Sequence, residues 1–258
     1  MQDLKITLLQ CHQYWEDKVQ NLAYFETLLQ QVSATDLILL PEMFHTGFSM
    51  NVQVFAENNE NSMALNWLKE KAKEKNAAFY TSFIAEEVGN FYNRGVFVYP
   101  SGEIVFYNKR KLFTLAKEDE SFTAGEKQVI VSYKNWNINL QICFDLRFPE
   151  ISRNKLNEQN VSDYDLCLYV ANWPERRAPH WKALLLARAI ENQCFVAGLN
   201  RIGTDGHDLT YSGDSMIYTP LGEKLVGDFP SEEKIISCTI SKTNIEEIRQ
   251  KLNFLKDI

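Results

Sequence analysis

The stretch Asn139-Leu140-Gln141-Ile142-Cys143-Phe144-Asp145-Leu146-Arg147-Phe148-Pro149-Glu150 decides how this chain is read. An alternating, β-prone run from Trp136 to Ile142 delivers a cysteine to its end. Pro149 and a helix-like stretch follow. A thiol at the C-terminal lip of a strand, just ahead of a turn into a helix, lies where α/β proteins usually do their chemistry. There the positive end of a helix would favour the thiolate. Cysteine also packs as a small hydrophobe, and on this segment alone a buried structural cysteine is the stronger reading.

Two other segments reverse that judgement. Leu37-Ile38-Leu39-Leu40-Pro41-Glu42-Met43-Phe44 opens with four apolar residues, the pattern of a strand buried on both faces. Pro41 stops ladder pairing and Glu42 follows at once. Surface glutamates are the commoner kind, but Leu40, Pro41, Met43, Phe44 and Phe48 make a poor solvated loop. A carboxylate partly buried among them suits proton transfer near neutral pH. In the second segment, Pro100-Ser101-Gly102-Glu103 makes a turn between the apolar-alternating runs Gly95 to Tyr99 and Ile104 to Tyr107. The hairpin carries Lys109-Arg110-Lys111 past its second strand, between Tyr107 and Phe113. Such runs are usually solvated. The flanking aromatics argue that one cation points inward, and strand alternation favours Lys109.

Apolar periodicity gives the rest of the frame. Leu4 to Gln10, Ala77 to Ala85, Leu166 to Ala171, Cys194 to Asn200 and Ile235 to Ile240 read as strands. Lys127 to Tyr133 and Trp136 to Ile142 form a hairpin about Lys134-Asn135, and Ser215 to Tyr218 and Lys224 to Gly227 flank a Pro220-Leu221-Gly222 turn. Val19 to Val32, Ser62 to Lys75, Trp181 to Gln193 and Asn244 to Leu252 read as helices. Helices between strands argue an α/β fold, while the hairpins require some antiparallel pairing. No repeat, linker or low-complexity segment divides residues 1–258, so one domain is expected.

The net charge of −7 makes nucleic acid an unlikely class of partner. No signal-peptide pattern and no run of membrane-spanning length is visible, so a cytoplasmic protein without a membrane partner is expected. The five cysteines (Cys11, Cys143, Cys167, Cys194, Cys238) are scattered and odd in number, which argues against a disulfide framework and against zinc. All but Cys143 sit in apolar strand-like runs and are expected in the core. Four histidines without ligand spacing give no metal signal.

Glu42 after its strand and proline, Lys109 in Tyr107-Asn108-Lys109-Arg110-Lys111-Leu112-Phe113, and Cys143 in its strand-end motif together resemble the nitrilase superfamily of carbon–nitrogen hydrolases. Further matches run through Ala171-Asn172-Trp173-Pro174, Ala187 to Asn192, Asn200-Arg201-Ile202-Gly203 and Gly213-Asp214-Ser215. The resemblance implies an αββα sandwich with two mixed sheets between helix layers, and subunits paired through those layers as a homodimer or larger homo-oligomer. It implies Glu42 as general base, Lys109 as cationic partner, Cys143 as nucleophile and Glu118 as a second, orienting glutamate. The backbone N–H of Phe144 is implied as an oxyanion donor. Such enzymes hydrolyse amides through a thioester and need no metal or organic cofactor. Where many relatives have histidine two places after the lysine, this chain has Lys111.

Within the superfamily, Pro41 to Phe44 with Thr46-Gly47-Phe48-Ser49, and Asn172-Trp173-Pro174 with His180-Trp181, look like the ω-amidase branch. That implies a small-molecule substrate such as 2-oxoglutaramate or 2-oxosuccinamate. Its carboxylate calls for a guanidinium, with Arg147, Arg176 and Arg177 as candidates, and Phe44, Phe48 and Trp173 would form an apolar wall. An N-carbamoyl or aliphatic amidase is the first rival reading. A non-catalytic dimeric binding scaffold is the rival of another class.

Overall fold

The computed structural model describes residues 2–257. In chain order the strands are β1 (Leu4–Gln10), β2 (Leu37–Leu39), β3 (Ala78–Glu87), β4 (Asn90–Val98), β5 (Ile104–Asn108), β6 (Ile130–Tyr133), β7 (Trp136–Ile142), β8 (Leu166–Ala171), β9 (Phe195–Asn200), β10 (Ile202–Thr204), β11 (Thr210–Ser212), β12 (Met216–Tyr218), β13 (Lys224–Val226) and β14 (Lys234–Ile240). The helices are α1 (Lys18–Gln30), α2 (Val52–Phe55), α3 (Met63–Lys75), α4 (Glu118–Ser121), α5 (Ala178–Glu191) and α6 (Lys242–Lys251).

Two six-stranded mixed sheets result. One runs β14-β1-β2-β3-β4-β5 and the other β13-β12-β9-β8-β7-β6. In each, a parallel centre (β1·β2·β3 and β7·β8·β9) is flanked on both sides by antiparallel strands. The inner faces meet in one apolar core: Ile6 and Leu8 of β1 and Leu37 and Leu39 of β2 lie in the same cluster as Ile138, Leu140, Leu168 and Val170. Helices α1 and α3 cover the outside of the first sheet through Phe25, Leu29, Leu65 and Leu68. Helix α5 covers the second sheet through Trp181, Leu185 and Ala189. Gly198 of β9 permits that approach, since a Cβ there would stand 2.4 Å from Leu185 Cδ1.

Local chemistry explains the boundaries. Ser62 caps α3 by accepting the Leu65 N–H at 2.9 Å, and Asn76 ends it in the left-handed region. Lys134 and Asn135 both have positive φ (49° and 64°), the conformation a two-residue hairpin turn demands. Two expectations need correction. Cys238 is half-buried rather than core, because it lies on the edge strand β14. The stretch after Cys143 forms no α-helix; it makes two 3₁₀ turns, Cys143–Arg147 and Pro149–Ile151, because Pro149 removes the donor that would continue the first. The short β10·β11 hairpin has no counterpart in the sequence as a pair of apolar runs. Among the described residues, no helix is long and apolar enough to cross a membrane.

Candidate active site

The strand ends bring three distant segments together. Glu42 follows β2, where Thr81 Oγ1 donates to the Pro41 carbonyl at 2.7 Å and Ser82 Oγ accepts the Met43 N–H at 2.9 Å. Gln13 Nε2 grips the carbonyls of Glu42 and Met43 from behind, at 3.1 and 3.0 Å. Lys109 follows β5, and its N–H donates to the Asn93 carbonyl of β4 at 3.0 Å. Cys143 follows β7 with φ of 43°. Met43 shares the left-handed region at 47°. Both conformations are costly for residues with a Cβ and persist only where neighbours fix them.

The side chains of Glu42, Lys109 and Glu118 are buried completely. Lys109 Nζ lies 2.9 Å from Glu42 Oε1 and 2.9 Å from both carboxylate oxygens of Glu118. Asn93 Nδ2 bridges the same two acids, at 2.8 Å from Glu42 and 3.1 Å from Glu118. The Phe113 N–H fixes the remaining side of Glu118 at 2.6 Å. Glu42 Oε2 accepts the Asn172 N–H at 2.8 Å, and Asn172 Nδ2 donates to the Glu42 carbonyl at 2.7 Å. Cys143 Sγ donates to the Asn172 carbonyl at 3.9 Å, which ties it to the residue that holds the Glu42 carboxylate. Every side chain that sequence singled out for the chemistry is therefore within this one cluster. Asn93, Asn172 and Asp145 join it without having been assigned a role beforehand. Asn172 carried a signal, its place at the end of β8; Asn93 lies inside β4 and carried none.

Burial sets the charge states. It pushes the Cys143 thiol well above its ordinary pKa, and the Glu42 charge adds to this, outweighing Lys109. The resting Cys143 side chain is thus biased towards the neutral thiol rather than a standing thiolate. Burial alone would lower the Lys109 pKa, but the Glu118 and Glu42 carboxylates outweigh it and hold the ammonium above the usual lysine range. Burial raises the Glu118 pKa, opposed by Lys109 and reinforced by Glu42.

Cys143 lies at a cavity of about 250 Å³ whose walls include Phe48, Phe113, Phe144, Trp173 and Tyr211. Lys109 Nζ sits 5.2 Å from the centre of the Phe48 ring. Phe44 does not reach this cavity. It packs between Phe25 and Trp67 beneath α1 and α3, both ring centroids 5.7 Å away, so its expected place in the wall is corrected. The positive φ at Met43 turns the chain so that Glu42 enters the site and Phe44 the helix-facing core. Arg147, Arg176 and Arg177 all line the cavity. Arg147 lies 4.7 Å over Trp173 and contacts His180 Nδ1 at 3.2 Å; Arg177 lies 5.1 Å over Phe113. Among the described residues, no acidic side chain forms an ion pair with any of the three; the paired arginines are Arg94, Arg153, Arg188 and Arg249. The one acid in the wall, Asp205, is occupied by the N–H groups of His207 and Leu209 and the Tyr211 hydroxyl. Lys111 points away: its ammonium lies over Phe148 and pairs with Glu150. What position 111 gives the site is its backbone N–H, donated to Asp145.

The chain resembles known proteins along nearly its whole length. The chain is 41% identical over 257 residues to the omega-amidase YafV of Escherichia coli K12, covering 100% of this chain and 97% of that protein. It is 31% identical over 243 residues to the 2-oxoglutaramate amidase of Bacillus subtilis 168, covering 93% and 91% respectively. A CN-hydrolase superfamily protein from Xanthomonas campestris, solved with an arsenic adduct in its active site, superposes with a TM-score of 0.96. It is 38% identical, and the match covers 100% of this chain and 98% of that one. The carbon-nitrogen hydrolase family model matches residues 5–250. Residues, fold and relatives converge, and the chain belongs to the carbon–nitrogen hydrolase family as an amide-hydrolysing enzyme.

Proposed function

We propose that this enzyme releases ammonia from the terminal amide of a short ω-amide bearing a carboxylate, such as 2-oxoglutaramate or 2-oxosuccinamate, through a Cys143 thioester. The observation that carries the reading is the Glu42–Lys109–Glu118 cluster, linked through Asn172 to Cys143, at a cavity lined by three arginines without acidic partners among the described residues. Uncompensated guanidiniums in a largely apolar cavity suit a carboxylate ligand. The two amidase relatives, an omega-amidase and a 2-oxoglutaramate amidase, support the same substrate class.

Each step uses a group already in place. Cys143 attacks the amide carbon as its proton passes to Glu42, so no free thiolate has to build up in the buried site. One Lys109 N–H turns to the developing oxyanion. The Phe144 N–H, in the first turn of its 3₁₀ helix and so without a partner in that helix, is the second donor. Glu42 returns the proton to the departing ammonia, leaving the thioester. Water then enters and Glu42 takes its proton; as the second tetrahedral intermediate collapses, Glu42 gives that proton to the departing sulfur, leaving free thiol and a carboxylic acid that ionises in solvent. Glu118 keeps Lys109 charged and aimed throughout. The wider assembly is proposed to be a homodimer; Ile190, Leu221 and Leu225 leave apolar surface beside α5.

The test is ammonia release from 2-oxoglutaramate by the wild type and by Cys143→Ala. We expect turnover in the first and none in the second, with the melting temperature preserved. Turnover by Cys143→Ala would overturn the nucleophile. Carbon dioxide release from N-carbamoyl compounds, with no activity on ω-amides, would move the enzyme to another branch.

A further inference from the structure

We propose that Asp145 is a positioning residue for this reaction: its carboxylate fixes the Cys143 turn against the segment that carries Lys109. The inference rests on the roles of Cys143 and Lys109 given above.

The geometry is specific. Asp145 stands two residues after Cys143 and is fully buried. Its Oδ2 accepts the Ile142 N–H at 2.9 Å, immediately before the nucleophile. The same oxygen accepts the Tyr107 hydroxyl at 2.8 Å, and Oδ1 accepts the Lys111 N–H at 2.9 Å. Tyr107 and Lys111 stand two residues before and two residues after Lys109. One carboxylate therefore holds both flanks of the lysine and the near flank of the cysteine. The lysine belongs to the first sheet and the cysteine to the second. Asp145 thus bridges the sheets at the point where the sulfur and the ammonium must meet.

Two further observations support the role. Cys143 keeps a φ of 43°, which needs neighbours that over-determine it, and the bond to Ile142 closes that turn from one side. Burial pushes the Asp145 carboxyl up to about 6, so at neutral pH it is an ionised acceptor for all three donors. Both of its oxygens are occupied by these donors, and no atom of it is needed to touch substrate.

The experiment compares wild type, Asp145→Asn and Tyr107→Phe by steady-state kinetics on 2-oxoglutaramate, by thermal melting, and by iodoacetamide labelling of Cys143 followed by peptide mass. An asparagine amide nitrogen in the place of Oδ2 faces the Ile142 N–H donor to donor. A displacement of order 1 Å at a reacting group costs up to about a hundredfold in rate. We expect Asp145→Asn to lose about tenfold to a hundredfold in kcat with KM within about twofold, and Cys143 to be labelled more slowly. Tyr107→Phe, which removes one donor and leaves the other two, should lose about threefold to tenfold in kcat. Folded Asp145→Asn with wild-type kcat and labelling rate, or with a change in KM alone, would overturn the assignment. If Asp145→Asn does not fold, Tyr107→Phe decides, and wild-type kcat and labelling in it would overturn the assignment. Labelling needs no substrate, so a wrong substrate class and a wrong role for Asp145 give different results.

Discussion

Replacing Lys109 by methionine isolates the electrostatic core of the site. The Lys109, Glu42 and Glu118 side chains are all fully buried, with the ammonium 2.9 Å from each acid. The wild-type cluster holds two acids and one ammonium. Methionine fills a similar volume but leaves the two acids facing each other without a cation, bridged only by Asn93 Nδ2. Removing one partner of a buried ion pair costs about 3–5 kcal/mol of stability. Unfolding entropy near the midpoint is about 2.1 cal/mol/K per residue, so this chain of 258 residues should lose about 6–9 °C in melting temperature. The deficit has a sign in pH. Glu118 already has a raised pKa from burial, and without Lys109 it rises further, so the variant takes up a proton on folding as the pH falls. The stability gap between wild type and Lys109→Met should therefore be largest near pH 8 and shrink towards pH 5. Turnover should fall by at least about a hundredfold, the cost of losing one oxyanion donor. Scanning calorimetry at the two pH values and an ammonia assay read both effects. A variant that melts within about 1 °C of wild type at both pH values would refute the reasoning, because a buried acid pair cannot lose its only cation at no cost.

Other consequences are separately measurable. Phe44→Ala should cost about 3–5 kcal/mol in urea unfolding and leave KM unchanged, whereas Phe48→Ala should raise KM with little loss of stability, since only Phe48 reaches the cavity. Converting Arg147 and Arg177 singly to methionine should raise KM for 2-oxoglutaramate by about tenfold to a hundredfold, the worth of a hydrogen bond to a charged group, and leave a short uncharged amide unaffected. Burial raises the Glu57 pKa, but hydrogen bonds from His45, Lys18 and Ser62 outweigh it and hold the carboxyl below its ordinary 4.5. A depressed carboxyl stabilises the fold above that value, and the contribution disappears as pH falls through the folded one. Urea midpoints should accordingly drop less between pH 5 and pH 3 in Glu57→Gln than in wild type.

Much of this molecule was legible in its residues because the informative signals were local. Apolar runs fixed β1, β8 and the β6·β7 hairpin to within a few residues, since burial on both faces leaves a continuous pattern. Pro41-Glu42 and Ile142-Cys143 were readable as strand ends carrying reactive groups. The failures were of direction rather than position. Nothing in Met43-Phe44 announces a left-handed residue that sends one side chain into the site and the next into the helix-facing core. The stretch after Cys143 has helix-compatible residues, yet Pro149, which lacks an N–H, ends the turn before an α-helix forms. Asn93 was invisible because a buried asparagine inside a strand looks like any other polar residue in an alternating pattern.

The division of the reactive groups between the two sheets has a consequence for how the protein can be taken apart. Cutting the chain between Lys127 and Val129 would leave the acids and the amine on one fragment and the sulfur on the other. Neither piece alone could turn over an amide. The later fragment also carries β14, which lies antiparallel to β1 over seven residue pairs and would stitch the pieces together along the edge of the first sheet. Recovered activity on mixing would then report reassembly of the halves, making this enzyme a complementation sensor whose signal is ammonia.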